Sequence, residues 1–98
     1  MSQLGDVKRV PAGAVDPNAR ETVIAGVPCT PVYPAAREAA ERAGMALTTR
    51  LATCYTGAVA AQTDWRFVTG GVDYRIRAAS NWPQGQVEVT ELLLEREG

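Results

Sequence analysis

Two adjacent glycines, Gly70 and Gly71, separate stretches in which apolar and polar residues alternate: Asp64-Trp65-Arg66-Phe67-Val68-Thr69 before them and Val72-Asp73-Tyr74-Arg75-Ile76-Arg77-Ala78 after. A Gly-Gly link supplies the backbone angles of a tight hairpin turn, so this stretch commits the chain to two antiparallel strands. In the second arm Val72, Tyr74, Ile76 and Ala78 share one face while Asp73, Arg75 and Arg77 share the other. That is the pattern of a strand with a buried and a wet side. Phe67 and Tyr74 fall at inward positions. No helix pattern follows the glycines, which sets them apart from a phosphate-binding loop.

Asn81-Trp82-Pro83-Gln84-Gly85 predicts the next turn, and Gln86 to Glu95 the last strand. Val87 and Val89 alternate there before Leu92, Leu93 and Leu94 run together. The slip near Glu91 points to a bulge or to a strand buried on both sides. Upstream, Asp6-Val7-Lys8-Arg9-Val10 reads as a short strand ended by Pro11 and Gly13. Residues 11–20 read as a loop with a turn at Asp16-Pro17-Asn18, and Glu21 to Ala25 as a second strand. Pro28, Pro31 and Pro34 each lack a ladder donor, so Val27 to Pro34 predicts an edge strand or an extended arm.

Pro34 is placed to open a helix, since the residues from Ala35 to Ala43 are nearly all strong helix formers and Gly44 stands just past the end. Arg37 with Glu41, and Glu38 with Arg42, have the spacing of helical ion pairs. The segment holds no large apolar side chain, so a loosely attached excursion, ordered by a partner, is expected. Met45 to Tyr55 favours a strand with Leu47, Thr49, Leu51 and Thr53 on one side, and Gly57 to Thr63 a loop of small residues. The expected fold is mainly β: one domain over residues 1–98, a small β-barrel or sandwich of five to six short antiparallel strands, with one short helix in an inserted loop at 33–46.

The side-chain inventory narrows the chemistry. The 98 residues include no histidine, one lysine (Lys8) among ten basic residues, and two cysteines, Cys29 and Cys54. Without imidazole the chain lacks the commonest general base and metal ligand, and an enzyme would have to run on carboxylates or a lone thiolate; the carboxylates show no paired arrangement, so a non-enzymatic protein with no cofactor and no metal is expected. Both cysteines read as buried small apolar residues, because no base is present to activate a thiolate. Ten basic against eleven acidic residues leave a net charge of −1, with no general pull toward nucleic acid. No apolar run reaches the length of a membrane span, and Met1-Ser2-Gln3-Leu4-Gly5-Asp6 lacks the layout of a signal peptide. A cytosolic chain without membrane contact is the expectation.

Trp65, Phe67, Tyr74 and Trp82 lie within 18 residues. They suit a stacking platform for single-stranded nucleic acid or, with Phe67 and Tyr74 inward, a core in which only Trp82 stays partly exposed to meet a partner. Arg66, Arg75 and Arg77, interleaved with Asp64, Asp73 and Glu88, suit a solvated or subunit-contacting face. Glu88, Glu91, Glu95 and Glu97 read as ordinary exterior charge.

The order of the second half, from the Asp64-Trp65-Arg66-Phe67-Val68 strand through the glycine turn, Val72-Asp73-Tyr74-Arg75-Ile76-Arg77-Ala78, the Asn81-Trp82 turn and the strand Val87 to Glu95, resembles the small head-completion proteins of tailed bacteriophages. These are the head-tail adaptor, head closure and head-to-tail stopper proteins. The first half follows in outline, with Val7-Lys8-Arg9-Val10, the turn near Asp16, Val27 to Val32, and the helix after Pro34 as a variable excursion. The resemblance implies a non-enzymatic structural protein of the virion, made in the host cytoplasm and assembled as a twelvefold ring between portal or adaptor and tail-terminator or tail-tube proteins. It would touch packaged DNA only incidentally. Subunit contacts are expected from the proline arm and the arginine face, through Val27, Pro28, Pro31, Val32, Tyr33, Arg75, Arg77 and Trp82. The channel or gating segment implied by the resemblance maps to Pro34, Arg37, Glu38, Glu41, Arg42 and Gly44. The alternatives are a tail-terminator or tail-completion ring, and a small β-barrel that binds nucleic acid.

Overall fold

The computed structural model describes residues 3–16, 19–57, 59–84 and 87–96, with 82–84 and 87 as backbone alone. In chain order the elements are β1 (Gln3–Arg9), β2 (Glu21–Cys29), β3 (Tyr33–Pro34), α1 (Arg37–Arg42), β4 (Leu51–Gly57), β5 (Arg66–Thr69), β6 (Val72–Gln84) and β7 (Val87–Arg96). The fold is mainly β, as the alternation predicts. Seven strands form one antiparallel sheet in the order β2-β1-β5-β6-β7-β4-β3, the two-residue β3 exceeding the expected number. The sheet curls until β2 also meets β4, through the single pair Cys29 and Thr56, so that it is ring-like.

The Gly70–Gly71 turn forms as read, with φ of 59° and 74°. It sets Phe67 opposite Tyr74 and Arg66 opposite Arg75. The turn expected from Asn81 is not formed at 81–84, because β6 continues through Trp82 and Pro83, paired with Val89 and Glu88, and Gly85 lies outside the described residues. The Asp16-Pro17-Asn18 turn lies in part outside the described residues.

Apolar side chains gather on both faces of the sheet. Inside the curl, Val7, Val27, Cys29, Cys54, Phe67, Ile76, Leu92 and Leu94 form the main core. On the outside, Leu51 and Leu93 are covered by Ala39 and Ala40 of α1. The three leucines of β7 are therefore split, Leu92 and Leu94 inward and Leu93 outward beneath the helix. This is the two-sided burial that the slip near Glu91 allowed for. The bulge itself lies across the ladder: Ile76 stands opposite Leu94 and Ala78 opposite Leu93, leaving Arg77 as the extra residue. One extra residue reverses facing, so Ala78 joins the outer cluster instead of sharing a face with Ile76.

Three expectations for the middle of the chain are corrected. The helix starts at Arg37, not Pro34, because Tyr33 and Pro34 pair with Thr53 and Ala52, and the Ala35 N–H donates to the Leu51 carbonyl (3.2 Å). The strand expected from Met45 begins only at Leu51, because the preceding residues return the chain from the helix to the sheet. Gly44 has φ of 70° and donates to the Glu41 carbonyl, while Met45 donates to Ala40 (2.9 Å). That bond pair closes a helix end in the Schellman manner, as the position of Gly44 predicts. Nor is α1 a loose excursion. Its alanines let the helix backbone approach the sheet closely, and Ala40 is fully buried.

Candidate functional site

β3 lies beside β4 in the sheet and α1 packs over the outer face of β4 and β7, and between them lies an open depression of about 330 Å³ lined by Tyr33, Pro34, Ala36, Glu38, Ala39, Arg42, Thr53, Tyr55 and Glu91. Outward positions on β4 and β7 place Tyr55 directly opposite Glu91. The Tyr55 hydroxyl donates to Glu91 Oε2 (2.8 Å), and Arg42 Nη2 donates to Glu91 Oε1 (2.8 Å). The Glu91 side chain is only 12% exposed against 43% for Arg42, so the carboxylate is held inside and the guanidinium reaches down to it. The hydrogen bond to Glu91, helped by burial, raises the Tyr55 pKa above its ordinary value. The Tyr33 and Tyr55 rings meet at 6.2 Å between centroids, tilted by 42°.

A second depression, of about 380 Å³, adjoins Pro34 and Ala35 and is otherwise lined by Leu47, Thr48, Thr49 and Leu51. It is mostly apolar, and Leu47 stands 44% exposed beside it.

Of the edge strand or extended arm expected over Val27 to Pro34, the structure forms an edge strand, β3. Thr30 donates to the Tyr55 carbonyl (2.9 Å) and Tyr33 pairs with Thr53, so the segment is laid along the chain's own β4. Val27 is a correction: it sits in the main core, because β2 turns that side chain inside the curl. Val32 packs against the same core. Pro28, Pro31, Tyr33 and Pro34 are exposed. All three prolines lie in or beside β2 and β3, the outermost strands in the sheet order, where a missing N–H is tolerated.

Arg75 stands half-buried on the outer face between Arg66 and Glu95 in the cross-strand row. Arg77, at the bulge, lies 3.7 Å from Glu95. Arg66 departs from the expected solvated or subunit-contacting face, being buried and donating from Nη1 to the Asp64 carbonyl (2.6 Å). Trp82 has its backbone in β6; its side chain lies outside the described residues. Arg37, Glu38 and Glu41 are exposed on α1, and Gly44 ends it.

Of the remaining aromatics, Phe67 is fully buried, and Tyr74 and Trp65 pack against the core with the Arg9 guanidinium 5.8 Å above the Trp65 ring. Cys29 and Cys54 are free and buried, as read from the sequence. Burial and the neighbouring Cys29 push the Cys54 thiol up to about 12, which keeps it protonated. Among the described residues no group of three or more acidic or thiol side chains is placed to hold a metal ion. Nor is any described helix long and apolar enough to cross a membrane.

Sequence reading missed the Tyr33–Tyr55–Glu91–Arg42 grouping. Its members come from four elements, and Arg42 and Glu91 are 49 residues apart, so no local pattern announces them. Glu91 is a correction, since it is a held carboxylate and not ordinary exterior charge. No protein-family model, curated protein or solved structure matches the chain.

Proposed function

We propose that this chain is a structural ring protein of the phage head-tail connector, seated beneath the portal or adaptor to close the DNA-filled head and carry the tail. The observation that supports this most is the pair of open sheet edges. Among the described residues, no strand pairs with the outer edge of β2 over residues 22–26 or with the edge of β6 over residues 78–84. A ring needs two different surfaces on each subunit, one to meet each neighbour, and unpaired strand edges offer backbone donors and acceptors for such contacts. The element order also supports the reading: two strands, an excursion carrying α1, then β4, the glycine hairpin and a closing strand.

The test is to mix the purified protein with DNA-filled, tailless capsids from the same source and image them by electron microscopy. The expected result is a new ring of density below the portal, with less DNA leakage. Density on tail tubes instead would transfer the chain to the tail-terminator class. A protein that binds neither, yet binds free DNA with an affinity falling steeply with salt, would overturn the connector reading.

A further inference from the structure

The depression beside α1 combines groups that suit one kind of visitor. Tyr33 and Tyr55 both line it, and their rings carry electron-rich faces. Glu91 forms the floor, with each carboxylate oxygen already holding a hydrogen bond, from Arg42 and from Tyr55. Glu38 is also on the lining, exposed at the helix surface, and its carboxylate has no hydrogen bond or ion pair among the described residues. Two carboxylates therefore face a single guanidinium, leaving the depression one negative charge in excess. Its volume of about 330 Å³ is at the small end of ligand clefts, the size for a side chain and not for a folded segment.

We propose that this depression is a binding site for one arginine side chain presented by a partner protein, its guanidinium against the Tyr33 and Tyr55 rings and its N–H groups on the Glu38 carboxylate. The argument is charge complementarity joined to shape. A cation is attracted by both the excess carboxylate and the aromatic faces. A planar guanidinium stacks on a ring while its edge bonds a carboxylate, which a compact ammonium cannot do at once. The ties from Arg42 and Tyr55 to Glu91 hold one ring and the floor in place before anything binds, which limits the ordering cost of binding. The assignment does not depend on the connector reading. It names the chemistry of a contact that any assembly of this chain would use on this face.

The test is a nuclear magnetic resonance titration of the intact protein with N-acetyl-arginine amide, N-acetyl-lysine amide and the neutral isostere N-acetyl-citrulline amide. The arginine probe is expected to shift the amides of Tyr33, Tyr55, Glu91 and α1 in the millimolar range, roughly the affinity of a single weak contact. Lysine should bind more weakly and citrulline leave those amides unmoved. Glu38→Gln, an exposed change that spares the fold, should weaken the arginine probe by about fivefold, the loss of one charge-assisted contact. Tyr33→Leu should weaken it further while the rest of the spectrum stays dispersed. Equal shifts from citrulline, shifts centred on another face, or no shift at tens of millimolar probe would each overturn the assignment.

Discussion

Gly5 shows how a single missing atom positions a core. It lies in β1 opposite Thr69, and a β-carbon built there would fall on the outer edge of the Phe67 ring, with two further ring carbons at 2.8 Å. Phe67 is fully buried and cannot swing toward solvent. Gly5→Ala is therefore expected to cost about 1–3 kcal/mol, the range for overpacking, as read from urea denaturation. Combining it with Phe67→Leu should recover part of that loss, since two residues in contact do not act additively. At Cys54 the residue-scale prediction concerns pH. Its folded pKa of about 12 lies above the ordinary 9.0, so the stability contributed by the buried neutral thiol is complete below the lower value and is lost as pH rises toward the upper one. Urea stability should fall over that alkaline window, and less steeply in Cys54→Ala. Alkylating reagents should leave both cysteines unmodified until the protein unfolds.

At the scale of elements, α1 is six residues long, too short to persist without packing, and its place depends on two alanines and one ion pair. Arg42 is partly exposed, so its pairing with Glu91 contributes less than about 1 kcal/mol; burial of Ala39 and Ala40 on Leu51 and Leu93 does more. Ala40→Leu would drive a larger side chain into a contact that only a small one fits. The expectation is a destabilisation of about 1–3 kcal/mol. Loss of hydrogen-exchange protection at α1 before the strands would mark the helix as the element displaced. Leu93→Ala opens a cavity beneath the same helix and should cost about 2–5 kcal/mol. The β6 bulge acts on the same layer from the other side. Deleting Arg77 would make the ladder regular while keeping Ile76 opposite Leu94 and Ala78 opposite Leu93, so both side chains keep their faces; the variant should lose only the Arg77 contact with Glu95 and keep a cooperative urea transition.

For the whole molecule, the weak line is where the curled sheet meets itself. β4 and β7 share seven register pairs, whereas β2 and β4 share one, supported by Thr30 donating to the Tyr55 carbonyl and accepting the Tyr55 N–H on its hydroxyl (3.1 Å). Local opening is drawn from places with few bonds to break. The Thr30 amide should therefore exchange with solvent faster than the amides of the β4–β7 ladder, through an opening that does not unfold the rest. Ring assembly through the neighbouring edge of β2 would slow that exchange, which makes the Thr30 amide a reporter on subunit contact.

What could be read from the chain alone concerned backbone constraints that act within a few residues. The Gly70–Gly71 hairpin, the end of α1 at Gly44, the placing of prolines at outer strands and the mainly β class all follow from glycine and proline geometry and from short alternation. The tertiary structure decided everything that depends on register between distant strands. Side-chain facing in a strand has a period of two, so the one extra residue at Arg77 sends Ala78 to the opposite face from Ile76, and no reading of β6 by itself reveals it. The same reason hides Leu93 beneath the helix and delays the helix start past Pro34. It also brings Arg42, Tyr55 and Glu91 together across the sheet, where distance along the chain gives no sign of contact.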